Sequence, residues 1–298
     1  MTRAHLSRPA RLSRLALAAV LAAAACGGRR ESASPVRSVV QNKGSDTMVN
    51  VAQVWAEEFR KIAPDVEVEV SGGGSGVGIA ALVRGTVDIA NASRDIKPSE
   101  AEQALKNTGK SPVAFTVGYD ALAVYVHKDN PLDEVSFEQL ADIYAEGGRI
   151  TRWSALGVKV PGAHDAIVNV SRQSSSGTYE FFRAHALGNR DFRLGSLDLN
   201  GSKEVVELVG SAPTAIGYSG MGYATPAVKM LKVAARPGGP AVAPGIASVN
   251  DKSYPLARSL LLYTLGEPKG AVKRYVDWIL SDAGQKVVEE SGYVPVAR

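Results

Sequence analysis

Short apolar runs alternate with amphipathic stretches along most of this chain, a pattern typical of an α/β protein in which helices cover a mixed sheet. Segment 65–70 (DVEVEV) alternates polar and apolar residues with a period of two and predicts a strand, whereas the apolar positions from Val51 to Ile62 recur at helical spacing. The pattern predicts strands at 39–41, 65–70, 87–90, 166–170 and 215–218, and helices at 51–62, 79–83, 179–186, 202–209, 271–280 and 284–290.

Two apolar segments are longer than an ordinary strand of about five or six residues. They span 115–126, with a predicted break at Gly118-Tyr119-Asp120, and 255–264. Strands that cross from one lobe to another have this length, so the N- and C-terminal parts are expected to share a lobe. We therefore predict lobe 1 at 39–118 and 256–298, and lobe 2 at 119–255.

Local signals refine the element boundaries. Ser99 with Glu102, and Ser136 with Gln139, have the spacing of a capping box and predict two helix starts. The Pro- and Gly-rich segment 236–245 predicts a loop.

The first 25 residues have the features of a secretory signal: four arginines, no acidic residue and an apolar run that ends at Ala25. The run is too short to span a membrane. Cys26 follows three alanines and resembles the acylated cysteine of the bacterial lipobox, although a buried thiol is the alternative. We predict a signal peptide at 1–25, a lipidated tether at 26–38, and a protein anchored to a membrane at the periplasm or cell surface.

The charge of the chain supports this division. The formal net charge is +4, but without the signal the Lys and Arg residues fall from 34 to 30, equal to the 30 Asp and Glu residues. A formally neutral mature chain gives no reason to expect a nucleic-acid partner. One Cys cannot form an intramolecular disulfide, and no Cys and His cluster indicates a metal.

Three segments share one design, in which a strand ends, small hydroxyl and Gly residues follow, and a helix begins. They are GSDT at 44–47, SGGGSG at 71–76 and SSSGT at 174–178. A helix start offers unpaired backbone N–H groups and the positive end of the helix dipole, and Ser and Thr hydroxyls add further donors. Each turn alone is explained by ordinary capping, but three together, with Arg94 and Arg172 beside serine-rich turns, favour an anion site.

These residues resemble the PstS family, the phosphate-binding proteins of ABC-type phosphate importers. Segment 172–178 (RQSSSGT) is similar to the R-x-x-x-S-G-T segment of that family, and GSDTM at 44–48 is the other most specific match. Weaker matches extend the resemblance over most of the mature chain, at 71–78, 90–100, 215–224 and 278–296.

The resemblance implies a type II periplasmic-binding-protein fold, two α/β lobes joined by two hinge crossings, with phosphate held in the cleft between them. It implies a monomer that delivers phosphate to permease subunits, without a cofactor or catalytic residue. The ligand-binding residues carried over are Ser45, Thr47, Ser75, Ser93, Arg94, Arg172, Ser176, Gly177 and Thr178.

One position departs from the family pattern. Many members have an Asp, which accepts the proton of bound phosphate, where this chain has Ser93 or Arg94. Asp46 and Asp95 are the alternative proton acceptors here.

Other functions remain as alternatives. Sulphate, molybdate and tungstate are rival ligands, because neutral donors and Arg discriminate poorly among tetrahedral oxyanions. A phosphate-ester hydrolase is less well supported, since the chain has neither G-x-S-x-G nor S-x-x-K, and His127, His164 and His185 are scattered. A lipid-anchored sensor would keep the cleft without the permease.

Overall fold

A computed structural model describes residues 37–296, which form one compact unit of mixed α/β structure. The predicted signal peptide, Cys26 and nearly all of the predicted tether lie outside the described residues.

The described part of the chain contains twelve strands and nine α-helices. The strands are β1 (Ser38–Gly44), β2 (Val66–Ser71), β3 (Ile89–Ala92), β4 (Pro112–His127), β5 (Glu134–Ser136), β6 (Val168–Arg172), β7 (Leu197–Leu199), β8 (Ala215–Gly220), β9 (Val228–Met230), β10 (Lys232–Ala234), β11 (Ala241–Val242) and β12 (Ala257–Leu265). The helices are α1 (Val49–Ile62), α2 (Ser75–Val83), α3 (Pro98–Thr108), α4 (Phe137–Tyr144), α5 (Gly177–His185), α6 (Ser202–Ser211), α7 (Ile246–Asn250), α8 (Gly270–Ile279) and α9 (Asp282–Glu290).

Most strands join one sheet in the order β2-β1-β3-β12-β4-β8-β6-β7, and β9 also pairs with β4. Strands β1, β2 and β3 are parallel, whereas β12 is antiparallel to both β3 and β4. The long strand β4 pairs with β12 up to Ala121 and with β8 from Leu122 onward, so it belongs to both halves of the sheet. A smaller sheet has the order β11-β10-β5.

The buried apolar residues fall into separate clusters on the two sides of this crossing. Nearly all of the largest cluster comes from 121–256 and includes Tyr144, Trp153 and Phe182. The other two clusters combine residues from 40–117 with residues from 260–293. The expected architecture, two α/β lobes joined by two crossings, is confirmed. The lobe boundaries stay a prediction.

The structure confirms the predicted strands and helices in type and approximate position, with several corrections. The predicted break at Gly118 to Asp120 is wrong, because β4 is continuous there. An extra β4 residue, Val117, lies just before it, since Leu260 pairs with Gly118 and the next residue, Leu261, pairs with Thr116. The predicted loop 236–245 contains β11, which pairs with β10.

The two capping boxes differ in outcome. Ser136 and Gln139 form the reciprocal hydrogen bonds of a capping box, as predicted. The box at Ser99 and Glu102 is wrong, because the helix begins at Pro98 and the Glu100 carboxylate accepts from the Lys97 N–H at 2.8 Å. Pro98 explains the earlier start, since its fixed φ suits the first helical position.

Candidate functional site

Three helices begin directly after, or within, the hydroxyl-rich turns that were predicted from the sequence. β1 leads through residues 45–48 into α1, β2 leads through three glycines into α2 at Ser75, and β6 leads through residues 173–176 into α5 at Gly177. Each helix start brings unpaired backbone N–H groups and a positive dipole end. These turns therefore direct polar donors from different parts of the chain toward one region.

The serine hydroxyls of the first half of the chain form a buried cluster. Ser45 Oγ donates to Ser93 Oγ at 3.0 Å, and Ser75 Oγ lies 3.4 Å from Ser93 Oγ. The Ser93 backbone N–H also donates to Ser75 Oγ at 3.1 Å. All three side chains are at most 1% exposed. The hydroxyls of three separate segments thus meet at one point.

From the other half of the molecule, Thr178 in the third turn contacts Thr47, which is on the same turn as Ser45. We call Ser45, Thr47, Ser75, Ser93 and Thr178 together the hydroxyl cluster. Thr178 Oγ1 lies 2.9 Å from Thr47 Oγ1, and both side chains are buried. Ser176 caps α5 by accepting from the N–H groups of Thr178 and Tyr179 at 3.1 and 3.4 Å. Because Ser176 Oγ accepts these bonds, its own proton remains available for another acceptor.

Glycine is required where the two halves approach. A Cβ atom on Gly177 would lie 2.2 Å from Ser75 Oγ and 2.8 Å from Ser93 Oγ. Gly74 has a φ of +97°, and a Cβ there would lie 2.5 Å from the Ser175 carbonyl oxygen. The Gly76 N–H donates to that same carbonyl oxygen at 2.9 Å. The turns at 71–76 and 174–178 therefore lie against each other, backbone to backbone.

Arg172 lies at the end of β6 and is 1% exposed. Its guanidinium donates to Ser202 Oγ at 3.0 Å and to the Asn200 carbonyl at 2.7 Å, and reaches Asp46 Oδ2 at 3.4 Å. Burial lowers the pKa of Arg172, and the neighbouring Asp46 carboxylate opposes this shift. Its buried Nε has no hydrogen-bond partner among the described residues, so one donor of the fork is still available.

Asp46 lies beside Arg172 and is held by the glycine turn. Its Oδ1 accepts from the Gly73 N–H at 2.8 Å, while its carbonyl accepts from the Tyr223 hydroxyl at 2.7 Å. Burial raises the pKa of Tyr223 to about 12, which keeps this hydroxyl protonated as a donor. These contacts fix the turn that carries both Asp46 and Thr47.

Arg94 and Asp95 lie outside the hydroxyl cluster. The Arg94 guanidinium makes two hydrogen bonds to the Glu100 carboxylate, at 2.9 and 2.8 Å. Arg94 and the exposed Asp95 line a cavity of about 770 Å³ beside the hydroxyl cluster, together with Lys97, Phe181 and Arg258. The structure thus brings together all the predicted ligand residues except Arg94.

A buried ion pair that was not predicted from the sequence lies at the base of the cluster. Arg258 on β12 is the direct cross-strand partner of Asp120 on β4, and its Nε and one terminal nitrogen donate to Asp120 Oδ2 at 3.0 and 2.8 Å. The same guanidinium donates to the Thr178 and Thr47 hydroxyls at 3.0 and 3.2 Å. The available signal was a single acidic and a single basic residue inside two otherwise apolar crossing segments.

Complete burial raises the pKa of Asp120, against the opposing effect of the Arg258 charge and its hydrogen bonds. The Met221 N–H donates to the second carboxylate oxygen at 3.0 Å. The ion pair is therefore satisfied on both oxygens and at several guanidinium nitrogens, as burial of charge requires.

The site can donate hydrogen bonds from several hydroxyls, from helix-start N–H groups and from the buried guanidinium of Arg172. Within residues 37–296, no group of three or more His, Cys, Asp and Glu side chains could hold a metal ion. No helix in that same part of the chain is long and apolar enough to cross a membrane. The donor set suits a small oxyanion.

Comparison with known proteins places this geometry in a family. Residues 30–283 match the model of the PBP superfamily domain. The phosphate-binding protein PstS of Pseudomonas aeruginosa is 33% identical over 276 residues, covering 89% of this chain and 85% of the relative. A putative phosphate ABC transporter substrate-binding protein from Clostridium perfringens, solved with bound phosphate, aligns with a TM-score of 0.76 at 30% identity. It covers 87% of this chain and all of that one.

A second solved structure, an ABC-type phosphate transport receptor from Vibrio cholerae, aligns with a TM-score of 0.68 at 28% identity, covering 87% of this chain and all of that one. The fold and the donor cluster together define a two-lobed binding protein. The chain belongs to the PBP superfamily and, within it, to the family of PstS phosphate-binding proteins.

Proposed function

We propose that this protein captures inorganic phosphate between its two lobes and delivers it to an ABC-type importer. The observation that carries this proposal is the meeting of buried hydroxyls from both lobes at Thr47 and Thr178, close to the Ser75–Ser93 contact of lobe 1 and the buried Arg172. The P. aeruginosa relative, named a phosphate-binding protein, and the C. perfringens structure, which contains bound phosphate, support phosphate as the anion.

Binding would exchange hydroxyl–hydroxyl contacts for stronger hydrogen bonds to the charged oxygens of phosphate. The starts of α1, α2 and α5 contribute N–H groups and dipole ends, and Arg172 contributes its charge and its free Nε. Because the donors come from both lobes, the ion binds the closed arrangement better and shifts the equilibrium toward closure.

We further propose that Asp46 accepts the proton of bound phosphate. Asp46 contacts Arg172 inside the site region, whereas Asp95 is exposed and lines the 770 Å³ cavity. A carboxylate that faces the ligand without a shared proton would be repelled by it, so Asp46 would favour a protonated phosphate over fully ionised sulphate.

The remaining predictions belong to this proposal. The chain would act as a monomeric binding protein and not as an enzyme, would contact permease subunits, and would be anchored through Cys26. The separation of the apolar clusters near residues 118–121 and 257–260 supports the lobe boundaries predicted from the sequence.

Isothermal titration of the purified protein with phosphate, sulphate and molybdate tests the proposal. We expect one phosphate ion per chain, with a dissociation constant near micromolar, about −8 kcal/mol. Sulphate and molybdate should bind at least about a hundredfold more weakly than phosphate. The substitution Asp46→Asn should reduce this ratio of affinities. Tight binding of sulphate or molybdate instead of phosphate would overturn the ligand assignment.

A further inference from the structure

The Asp120–Arg258 pair lies on the two strands that connect the lobes, yet it contacts the residues that both lobes direct into the site. Asp120 is fully buried and Arg258 is 5% exposed. One nitrogen of the guanidinium donates to Thr178, and another donates to both Thr47 and Asp120. The first of these nitrogens also lies 3.5 Å from the Ser93 carbonyl oxygen. One side chain therefore contacts three of the segments that form the site.

The direction of these hydrogen bonds determines what the threonine hydroxyls can do. A guanidinium only donates, so the Oγ1 atoms of Thr47 and Thr178 act as acceptors toward Arg258. Each hydroxyl has one proton, which must then point away from Arg258. In the closed structure the two hydroxyls are 2.9 Å apart, so one of them donates to the other. An anion placed at this point would accept from both.

The surroundings hold the guanidinium in this orientation. Asp120 Oδ2 accepts two of its N–H groups and the Met221 N–H fixes the other carboxylate oxygen. On the cavity side, Arg258 Cζ lies 5.7 Å from the centre of the Phe181 ring. The guanidinium is thus covered on that side by an aromatic ring, and its remaining donors point at the hydroxyl cluster.

We propose that Arg258, fixed by Asp120, is a positioning residue that orients the hydroxyls of Thr47 and Thr178 as donors to the bound anion, one from each lobe. Arg258 and Thr47 belong to the predicted lobe 1, whereas Thr178 belongs to lobe 2, so closure adds the bond to Thr178 and thereby completes the donor pair. Its positive charge acts on the anion through the polarised hydroxyls. The inference rests on the proposed phosphate-binding function and deepens it.

The test needs a change that removes the charge without leaving Asp120 unpaired, because breaking one partner of a buried ion pair is strongly destabilising. The double variant Asp120→Asn/Arg258→Gln replaces both charges by amides. Its phosphate affinity is measured by isothermal titration in the wild-type background and in a Thr178→Val background, with thermal melting of every variant. The control Arg193→Met removes a half-buried guanidinium that donates to the carbonyls of Ile143, Gly148 and Ile150.

We expect the double variant to weaken phosphate binding at least about tenfold in the wild-type background. In the Thr178→Val background, the loss of phosphate affinity caused by the double variant should be at least about threefold smaller, because one of the two oriented hydroxyls is already absent. Arg193→Met should lower the melting temperature and leave the affinity unchanged.

Two results would overturn the inference while leaving the proposed function intact. Equal losses in both backgrounds would mean that Arg258 contacts the ion independently of Thr178. A lowered melting temperature with unchanged affinity would mean that the pair is only structural. A wild-type protein that binds no phosphate would overturn the proposed function and the inference together.

Discussion

The buried Arg172 guanidinium is held by hydrogen bonds at its terminal nitrogens, yet it keeps one free N–H donor. Ser202, Asn200 and Asp46 engage its terminal nitrogens, and its Nε is free within the described part of the chain. Removing its head group would take away both a charge and a planar fork of donors.

Arg172→Ala should therefore weaken phosphate binding by about tenfold or more, which corresponds to about 1.4 kcal/mol. Isothermal titration measures the effect. The matched control is Arg183→Ala, an arginine on α5 that pairs with the exposed Asp191. Unchanged affinity in Arg172→Ala, or an equal loss in the control, would contradict the role given to Arg172.

Gly177 is the closest point between the two halves of the site. In Gly177→Ala the new methyl group would meet Ser75 Oγ at 2.2 Å, so closure would be obstructed while α5 itself could still form. Phosphate affinity should fall at least about tenfold with little change in melting temperature.

Gly245→Ala serves as the control for Gly177→Ala. A Cβ there meets nothing within 4 Å, and the φ of 172° is extended backbone that any residue adopts. Normal phosphate binding by Gly177→Ala would mean that this close approach is unimportant for the site.

At the level of secondary-structure elements, the N-terminal ends of helices determine which donors reach the site. The starts of α1, α2 and α5 surround the cluster, whereas α3 uses its first turn to hold Arg94 away from it. Burial by itself raises the pKa of Glu100, but hydrogen bonds from Arg94 and from the Lys97 N–H outweigh it, so the pKa of Glu100 lies below its usual value of 4.5.

Because this pKa is lowered on folding, Glu100 stabilises the protein fully above about pH 4.5 and loses that contribution as the pH falls through the folded-state pKa. Glu100→Gln should cost about 0.5–1 kcal/mol of unfolding free energy at pH 7, since the carboxylate is only partly buried. Urea denaturation at several pH values measures this cost, which should shrink below pH 4.5. A cost that is constant with pH would contradict the assignment.

Features of the site that depend on neighbouring residues could be predicted from the sequence, whereas features that depend on contacts between distant residues could not. The hydroxyl turns were predicted because strand end, Gly and Ser or Thr, and helix start follow one another within a few residues. The Asp120–Arg258 pair joins residues 138 positions apart, so only the strand pairing reveals it. Arg94 was placed in the ligand set because it lies beside a serine-rich turn and at a position implied by the family resemblance. Its contact with Glu100 could not be predicted, because that contact depends on where α3 begins, and Pro98 sets that start.

At the scale of the whole molecule, contacts between the lobes determine the energy of closure. Besides the turns at 71–76 and 174–178, Lys97 at the start of α3 reaches Glu180 on α5 at 3.2 Å. The pair is half exposed and lies at the rim of the 770 Å³ cavity. It therefore adds to closure without touching the hydroxyl cluster.

Lys97→Gln should weaken phosphate binding by only about two- to fivefold at low salt, because an exposed ion pair contributes about 1 kcal/mol or less. The difference from wild type should disappear at about 0.5 M salt, where screening is strong. Isothermal titrations at both salt concentrations measure this change in phosphate affinity. The control is Lys273→Gln, which removes the exposed Lys273–Asp277 pair on α8. An effect that persists at high salt would contradict a closing role based on charge.

The most direct test of the central claim is a crystal structure of the protein grown with phosphate. We expect one phosphate ion between the lobes, within hydrogen-bond distance of Thr47, Ser75, Thr178 and Arg172, with Asp46 beside it. Arg258 should remain hydrogen-bonded to both threonine hydroxyls. Phosphate found instead among Arg94, Lys97 and Lys252 in the 770 Å³ cavity, with the hydroxyl cluster unchanged, would contradict this assignment of the binding site.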